Sequence, residues 1–200
     1  MTKTIENLKT SSEDMCGFVA TFSEQSLGQL TAIQAKLSEY LSDSIWLMPR
    51  RALHSTLMEI ICDREYPTPR HELFADWYKQ YSQSVSEIIS KLPTFDITFS
   101  EIEVSTRAII VSSKNSDFFN NIRSRVLSTI ELPKGTKMPP DITHCTLARF
   151  SHSIDLENAQ ELTRHLQCGF TEHISVFKLL KDLGPPTFEP KTIREYSLYV

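Results

Sequence analysis

Two stretches of this 200-residue chain carry the same His-x-Thr-Leu run ninety residues apart: Leu53-His54-Ser55-Thr56-Leu57 and Thr143-His144-Cys145-Thr146-Leu147. Each lies in an apolar segment that reads as a buried strand, and each is reached through the same order of elements. A strand at 17–22, a helix at 25–41 and a strand at 52–61 correspond to a strand at 107–112, a helix at 117–132 and a strand at 142–150. Shifting Phe18-Val19-Ala20 by ninety lands on Ala108-Ile109-Ile110, inside the corresponding strand. A pattern recurring at fixed spacing restricts the fold strongly. It predicts an α+β chain: a duplicated unit with a pseudo-two-fold axis. The repeat covers about 16–105 and 106–200 within a single domain, 16–200, behind a polar, flexible leader, 1–15.

Other segments complete the pattern. Ile45 to Met48 is a short extended piece before Pro49. Pro69 to Leu92 reads as a helix, with one proline near its start and Pro93 after its end. Phe95 to Phe99 alternates apolar and polar residues as a half-buried strand does. Asp117 or Ser116 suits the N-cap of the 117–132 helix. A helix at 155–167 follows, then strands near 171–180 and 193–200.

On a strand, residues i and i+2 face the same way. His54 with Thr56, and His144 with Thr146, therefore each present an imidazole beside a hydroxyl. Two halves packed about a two-fold axis bring all four to one cleft. One neutral histidine there can take a proton while the other, protonated, gives one to a leaving oxygen. The ordinary histidine pKa of ~6.5 makes both states accessible near neutrality. Threonine hydroxyls can donate to phosphate oxygens and hold them in line. No metal and no cofactor is required. A lone His-x-Thr is cheap, and His173-Ile174-Ser175 is a decoy of the same form. The shared leucine, strand setting and repeat position mark the pair out.

Composition narrows the substrate. The net charge is −4 and the pI is near 5.9, which disfavours tracking a long duplex by its phosphates. Five glycines and no Gly-x-x-x-x-Gly-Lys or Gly-x-Gly-x-x-Gly run leave no phosphate-cradling loop. Four scattered cysteines lack metal-ligand spacing and fit reduced thiols in a cytoplasm. No apolar run has membrane-spanning length, and no basic start followed by an apolar stretch signals secretion.

With both motifs in place, the chain resembles the 2H phosphoesterase superfamily, defined by two His-x-[Ser/Thr]-hydrophobic motifs on a bilobal duplicated fold. The resemblance covers about 16–200. It implies a bilobal duplicated α+β unit with two antiparallel sheets around a central cleft and helices on the outside, with catalytic His54 and His144 and with Thr56 and Thr146 binding phosphate. The run His144-Cys145-Thr146-Leu147-Ala148-Arg149 looks most like the form found in bacterial RNA 2′,3′-cyclic phosphodiesterases, which implies Arg149 as a further phosphate ligand. Strand alternation turns Arg149 away from His144 unless a bulge intervenes. The first motif continues Met58-Glu59-Ile60, where that branch often has phenylalanine-leucine-glycine. The activity implied is a metal-independent phosphodiesterase acting on 2′,3′-cyclic phosphates or 2′-5′ linked nucleotides, with a small nucleotide or RNA end as partner and a monomer as the working unit. The alternative is a non-catalytic RNA- or nucleotide-binding module of the same fold. Ligation by reversal of the reaction is chemically open.

Arg50 and Arg51 before the first motif read chiefly as solvated residues. Lys134 and Lys137 fall in a loop, Pro133–Pro140, that reads as a rim element. Trp46 and Phe150 flank the motifs and read chiefly as core, with base stacking as the functional alternative. Cys145, between two outward residues, faces the other side and is not read as a nucleophile. His71, His152, His165 and His173 have no partner spacing.

Overall fold

The computed structural model describes residues 14–62, 65–138, 141–181 and 189–199. The elements in chain order are β1 (Cys16–Thr21), α1 (Glu24–Leu41), β2 (Ile45–Leu47), β3 (His54–Ile61), α2 (Arg70–Ile89), β4 (Phe95–Phe99), β5 (Glu101–Val104), β6 (Ala108–Ser113), α3 (Asp117–Leu127), β7 (Thr143–Phe150), α4 (Leu156–Thr163), β8 (Phe170–Ile174), β9 (Val176–Lys181) and β10 (Lys191–Ser197). Of the leader, only Asp14 and Met15 are described; residues 1–13 lie outside the described residues. Asp14 is tied down, its carboxylate 2.5 Å from Lys181 Nζ.

Local chemistry accounts for the helix starts. Ser23 caps α1 by accepting from the Ser26 N–H, and Ser23 is itself held by the buried Glu172 through its N–H and its hydroxyl. Asp155 caps α4 in the same way, accepting from the Glu157 N–H at 3.0 Å. Ser116 stands at the cap position of α3 but makes no cap bond; its hydroxyl accepts the Thr143 N–H at 2.7 Å, joining the start of α3 to the start of β7. Three helices stop short of the expected ends at Leu92, Leu132 and Gln167. Past α3, for example, Glu131 turns its carbonyl to Trp77 Nε1 of α2, at 3.1 Å, and so cannot continue the helical ladder.

The expected α+β architecture with two antiparallel sheets is what the chain adopts. The larger sheet has eight strands in the order β10-β9-β1-β3-β7-β6-β5, with β2 also on β7; the smaller is the β4-β8 ribbon. Strand β5 was not expected from the sequence: Glu101-Ile102-Glu103-Val104 is short, half charged and at the sheet edge, where charge guards against unwanted pairing. Helix α1 packs on β2, β7 and β8, and α3 packs on β3 and α2, so each helix covers strands of the other half. The core beneath the sheet includes Phe18, Leu30, Leu37, Leu57, Phe119, Leu147, Phe150 and Phe177, all essentially inaccessible.

Candidate active site

The two motif strands are neighbours in the middle of the larger sheet. They pair antiparallel at Ser55↔Cys145, which sets His54 beside Thr146 and Thr56 beside His144. Ser55 and Cys145 point into the core, at 1% and 0% exposure, while His54, Thr56, His144 and Thr146 are all half-buried on the opposite, open face. The two histidines lie on a diagonal of this four-residue group. The flanking strands match: Thr21 and Val19 of β1 pair with His54 and Thr56, as Ile110 and Ser112 of β6 pair with Thr146 and His144.

Both motif strands then break step at the same point. Phe18 pairs with Met58 and Val19 with Thr56, leaving Leu57 as an extra residue; Ile109 pairs with Ala148 and Ile110 with Thr146, leaving Leu147. Each is a β-bulge, and each restores the outward position two residues later. The half-buried residues of β7 are therefore His144, Thr146 and Arg149, and those of β3 are His54, Thr56 and Glu59. Simple alternation, which turned Arg149 away, fails at the bulge. The same offset makes Glu59 the counterpart of Arg149 in the first half. Beyond the bulge β7 pairs with β2 in place of β3, with Trp46 directly across from Arg149. Trp46 is half-buried, whereas Phe150 is fully buried in the core.

A backbone carbonyl orients the first imidazole. His54 Nδ1 lies 2.7 Å from Ala52 O and donates to it, so the proton sits on Nδ1 and the Nε2 lone pair is left for chemistry. The carbonyl of Ile142, two residues before His144, favours the protonated form of that ring. Burial lowers the His54 pKa to about 4, with the positive charges of His144 and Arg149 adding to the effect against the Ala52 bond. His144 is lowered as well, by burial first and then by Arg123 and Arg149, but Glu103 and the Ile142 bond pull the other way. Glu103 also accepts a hydrogen bond from Ser112, the β6 partner of His144. The Cys145 thiol is pushed strongly up by burial, which agrees with its reading as an inert core residue.

The sequence profile of the 2′-5′ RNA ligase superfamily matches residues 22–179, a span that contains both motifs. The chain belongs to the 2′-5′ RNA ligase superfamily, the 2H phosphoesterases. Solved structures agree on the fold. E. coli LigT complexed with 3′-AMP is 13% identical with a TM-score of 0.59, over 94% of this chain and 99% of LigT. TT0787 of Thermus thermophilus is 16% identical with a TM-score of 0.57, over 92% and 97%. ATU0111 of Agrobacterium tumefaciens is 14% identical with a TM-score of 0.62, over 98% and 95%. LigT has also been crystallised with NADP+ and with ATP. No match to a curated protein sequence is found.

Other candidates stand apart from this four-residue face. Arg50 pairs with Glu24 at 2.7 Å and Arg51 with Glu189 at 3.3 Å, both on the surface. Lys134 and Lys137 are exposed on a loop hooked to the end of β3, where Thr136 Oγ1 donates to Ile60 O at 2.7 Å; Pro139 and Pro140 of that loop lie outside the described residues. The decoy His173 sits on the β4-β8 ribbon, paired with Asp96 at 2.7 Å. A surface hollow of about 510 Å³ between the start of α1 and that ribbon contains none of the motif side chains. Among the described residues no three His, Cys, Asp or Glu side chains cluster as a metal site would need, and no helix is long and apolar enough to cross a membrane. Glu59, Glu103 and Arg123 were not singled out from the sequence. The ninety-residue offset from Arg149 was the available signal for Glu59.

Proposed function

We propose that this chain is a metal-independent phosphodiesterase that opens 2′,3′-cyclic phosphates, or cleaves 2′-5′ linkages, at a small nucleotide or an RNA end. The observation that carries this reading is the Ser55↔Cys145 pairing, which lines up two imidazoles and two threonine hydroxyls on one open face. His54, neutral and with its Nε2 lone pair outward, is the general base. It takes a proton from water as the water oxygen bonds to phosphorus. His144, the less depressed of the two and supported by Glu103, is the general acid. Its proton goes to the ribose oxygen as the P–O bond to that oxygen breaks, leaving a phosphomonoester. Thr56 and Thr146 donate to the non-bridging oxygens, and Arg149 opposes the charge that builds on them.

Trp46, across from Arg149, is placed to carry the nucleobase. Both histidines come from one chain, so a monomer suffices. The four cysteines are thiols outside any disulfide, which suits a reducing cytoplasm.

The test is hydrolysis of a nucleoside 2′,3′-cyclic phosphate by purified protein in EDTA. Turnover is expected, and His54→Ala and His144→Ala should each abolish it. Loss of activity on chelation, or survival in either variant, overturns the mechanism. Tight binding of the cyclic nucleotide without product identifies a binding module instead.

A further inference from the structure

Beneath the open face, the central pair of strands creates a problem of its own. After meeting at Ser55↔Cys145, β3 and β7 part in both directions, and main-chain carbonyls face the gap on each side. Buried carbonyls need donors. One buried side chain from a helix fills each gap. On one side, where the chain leaving β2 lies against β7 and the Met48 N–H donates to Leu147 O at 2.9 Å, Gln34 of α1, 5% exposed, adds Nε2 bonds to Met48 O and Leu147 O, both at 2.8 Å. On the other Arg123 of α3, 4% exposed, donates through Nε to Leu57 O at 2.6 Å, and through Nη2 to Thr56 O at 3.1 Å and Ile142 O at 3.4 Å. Asn120 Oδ1 accepts from Nη1 at 2.7 Å, and the guanidinium lies over the Phe119 ring.

Leu57 and Leu147 are the two bulge residues, so Gln34 and Arg123 answer the same need in the two halves. One answer is neutral and the other is charged. Burying a guanidinium is costly, and the matching bulge carbonyl of the other half is served by a neutral amide. The charge therefore calls for a further reason, and the surroundings supply one. Arg123 donates to Ile142 O, the carbonyl that favours the protonated His144 ring from two residues away, and its own positive charge acts on that ring in the opposite sense.

We propose that Arg123 is a positioning residue: it locks Thr56 and Leu57 of the first motif to the backbone that leads into His144, and stations a fixed positive charge beneath that imidazole. Among the described residues, the other ionisable groups acting on His144 are Glu103 from β5, Arg149 from its own strand and His54 from β3, while Asp141 lies near the guanidinium itself. Arg123 and Arg149 hold the ring toward its neutral form, and Glu103 opposes them. In the phosphodiesterase reading, on which the kinetic arm of the test rests, this makes His144 a readier proton donor.

The experiment compares Arg123→Gln, which installs the side chain used in the other half, with Arg123→Lys, which keeps the charge but loses the fork of donors. The His144 ring is followed by NMR titration, and thermal unfolding checks the fold. Arg123→Gln should move the His144 titration upward by roughly half a unit or more, and Arg123→Lys should leave it near wild type. Kinetically, both should lower kcat by about tenfold with KM nearly unchanged, and only Arg123→Gln should carry the alkaline limb of the pH profile upward. An unmoved titration in Arg123→Gln, or an equal shift in both variants, overturns the proposal. If Arg123→Gln does not fold, a wild-type His144 titration with reduced kcat in Arg123→Lys upholds it, and a shifted titration there overturns it. A protein that shows the titration shifts without turnover upholds the charge beneath His144 and refutes the phosphodiesterase reading alone.

Discussion

Replacing His54 by asparagine removes an imidazole that the fold holds neutral, while the Asn amide can still donate to Ala52 O as Nδ1 does. In the unfolded chain this histidine titrates near 6.5; in the folded protein burial lowers it to about 4. A histidine depressed by folding adds no penalty above pH 6.5, where both states are neutral. As pH falls from 6.5 toward 4, the unfolded chain takes up a proton that the folded one refuses, and stability is lost. The difference in pKa corresponds to about 3 kcal/mol once pH is below both values, and to about 2 kcal/mol between pH 7.5 and pH 5. His54→Asn should lack that part of the loss, so its stability should decline less steeply on acidification, whatever its stability at pH 7.5. Urea unfolding followed by tryptophan fluorescence at pH 7.5, 6 and 5 measures both slopes. Equal slopes in the two proteins would refute the idea that the fold holds this imidazole neutral, and with it the assignment of His54 as the base.

Three other outcomes follow from the same geometry. The kcat/KM profile of the wild type should be bell-shaped, rising through about pH 4 as His54 loses its proton and falling below the ordinary histidine value as His144 loses its own; a rate still climbing at pH 8 contradicts the roles given to the two rings. Arg149→Met should lower kcat/KM by about a hundredfold and, by removing a like charge, move the acid limb to higher pH; steady-state kinetics across pH checks both. Glu59→Arg makes the two halves alike and should favour a cyclic nucleotide bearing an additional 5′-phosphate over one without it by at least about threefold in KM, measured by competition between the two.

Much of this site was legible before any tertiary information. A strand's period of two says which residues share a face, so His-x-Thr predicts an imidazole and a hydroxyl side by side wherever the strand ends up. The ninety-residue register paired His54 with His144 and matched β1 to β6 as neighbours of the motif strands. Cys145, between two outward residues, was correctly assigned to the core. Arg149 marks where this reasoning stops. Alternation holds only while the ladder is regular, and the bulges at Leu57 and Leu147 arise from pairing with β1 and β6, partners far away in sequence. Strand β5 escaped for a related reason: four residues, two of them glutamate, become a strand only because β6 offers an edge.

The His-x-Thr-Leu pair with which the chain announced itself is thus a local property, written in covalent order and strand geometry. That order determined the chemistry on offer: two imidazoles, two hydroxyls and an α+β frame to carry them. Only the tertiary structure decided that β3 and β7 meet at Ser55↔Cys145, that the bulges bring Arg149 and Glu59 round to the same face, and that Gln34 and Arg123 close the gaps beneath. Each of these depends on contacts between segments distant along the chain. Such contacts set burial and charge around a ring, so the two histidines, alike in sequence, acquire different proton affinities only once the halves have come together.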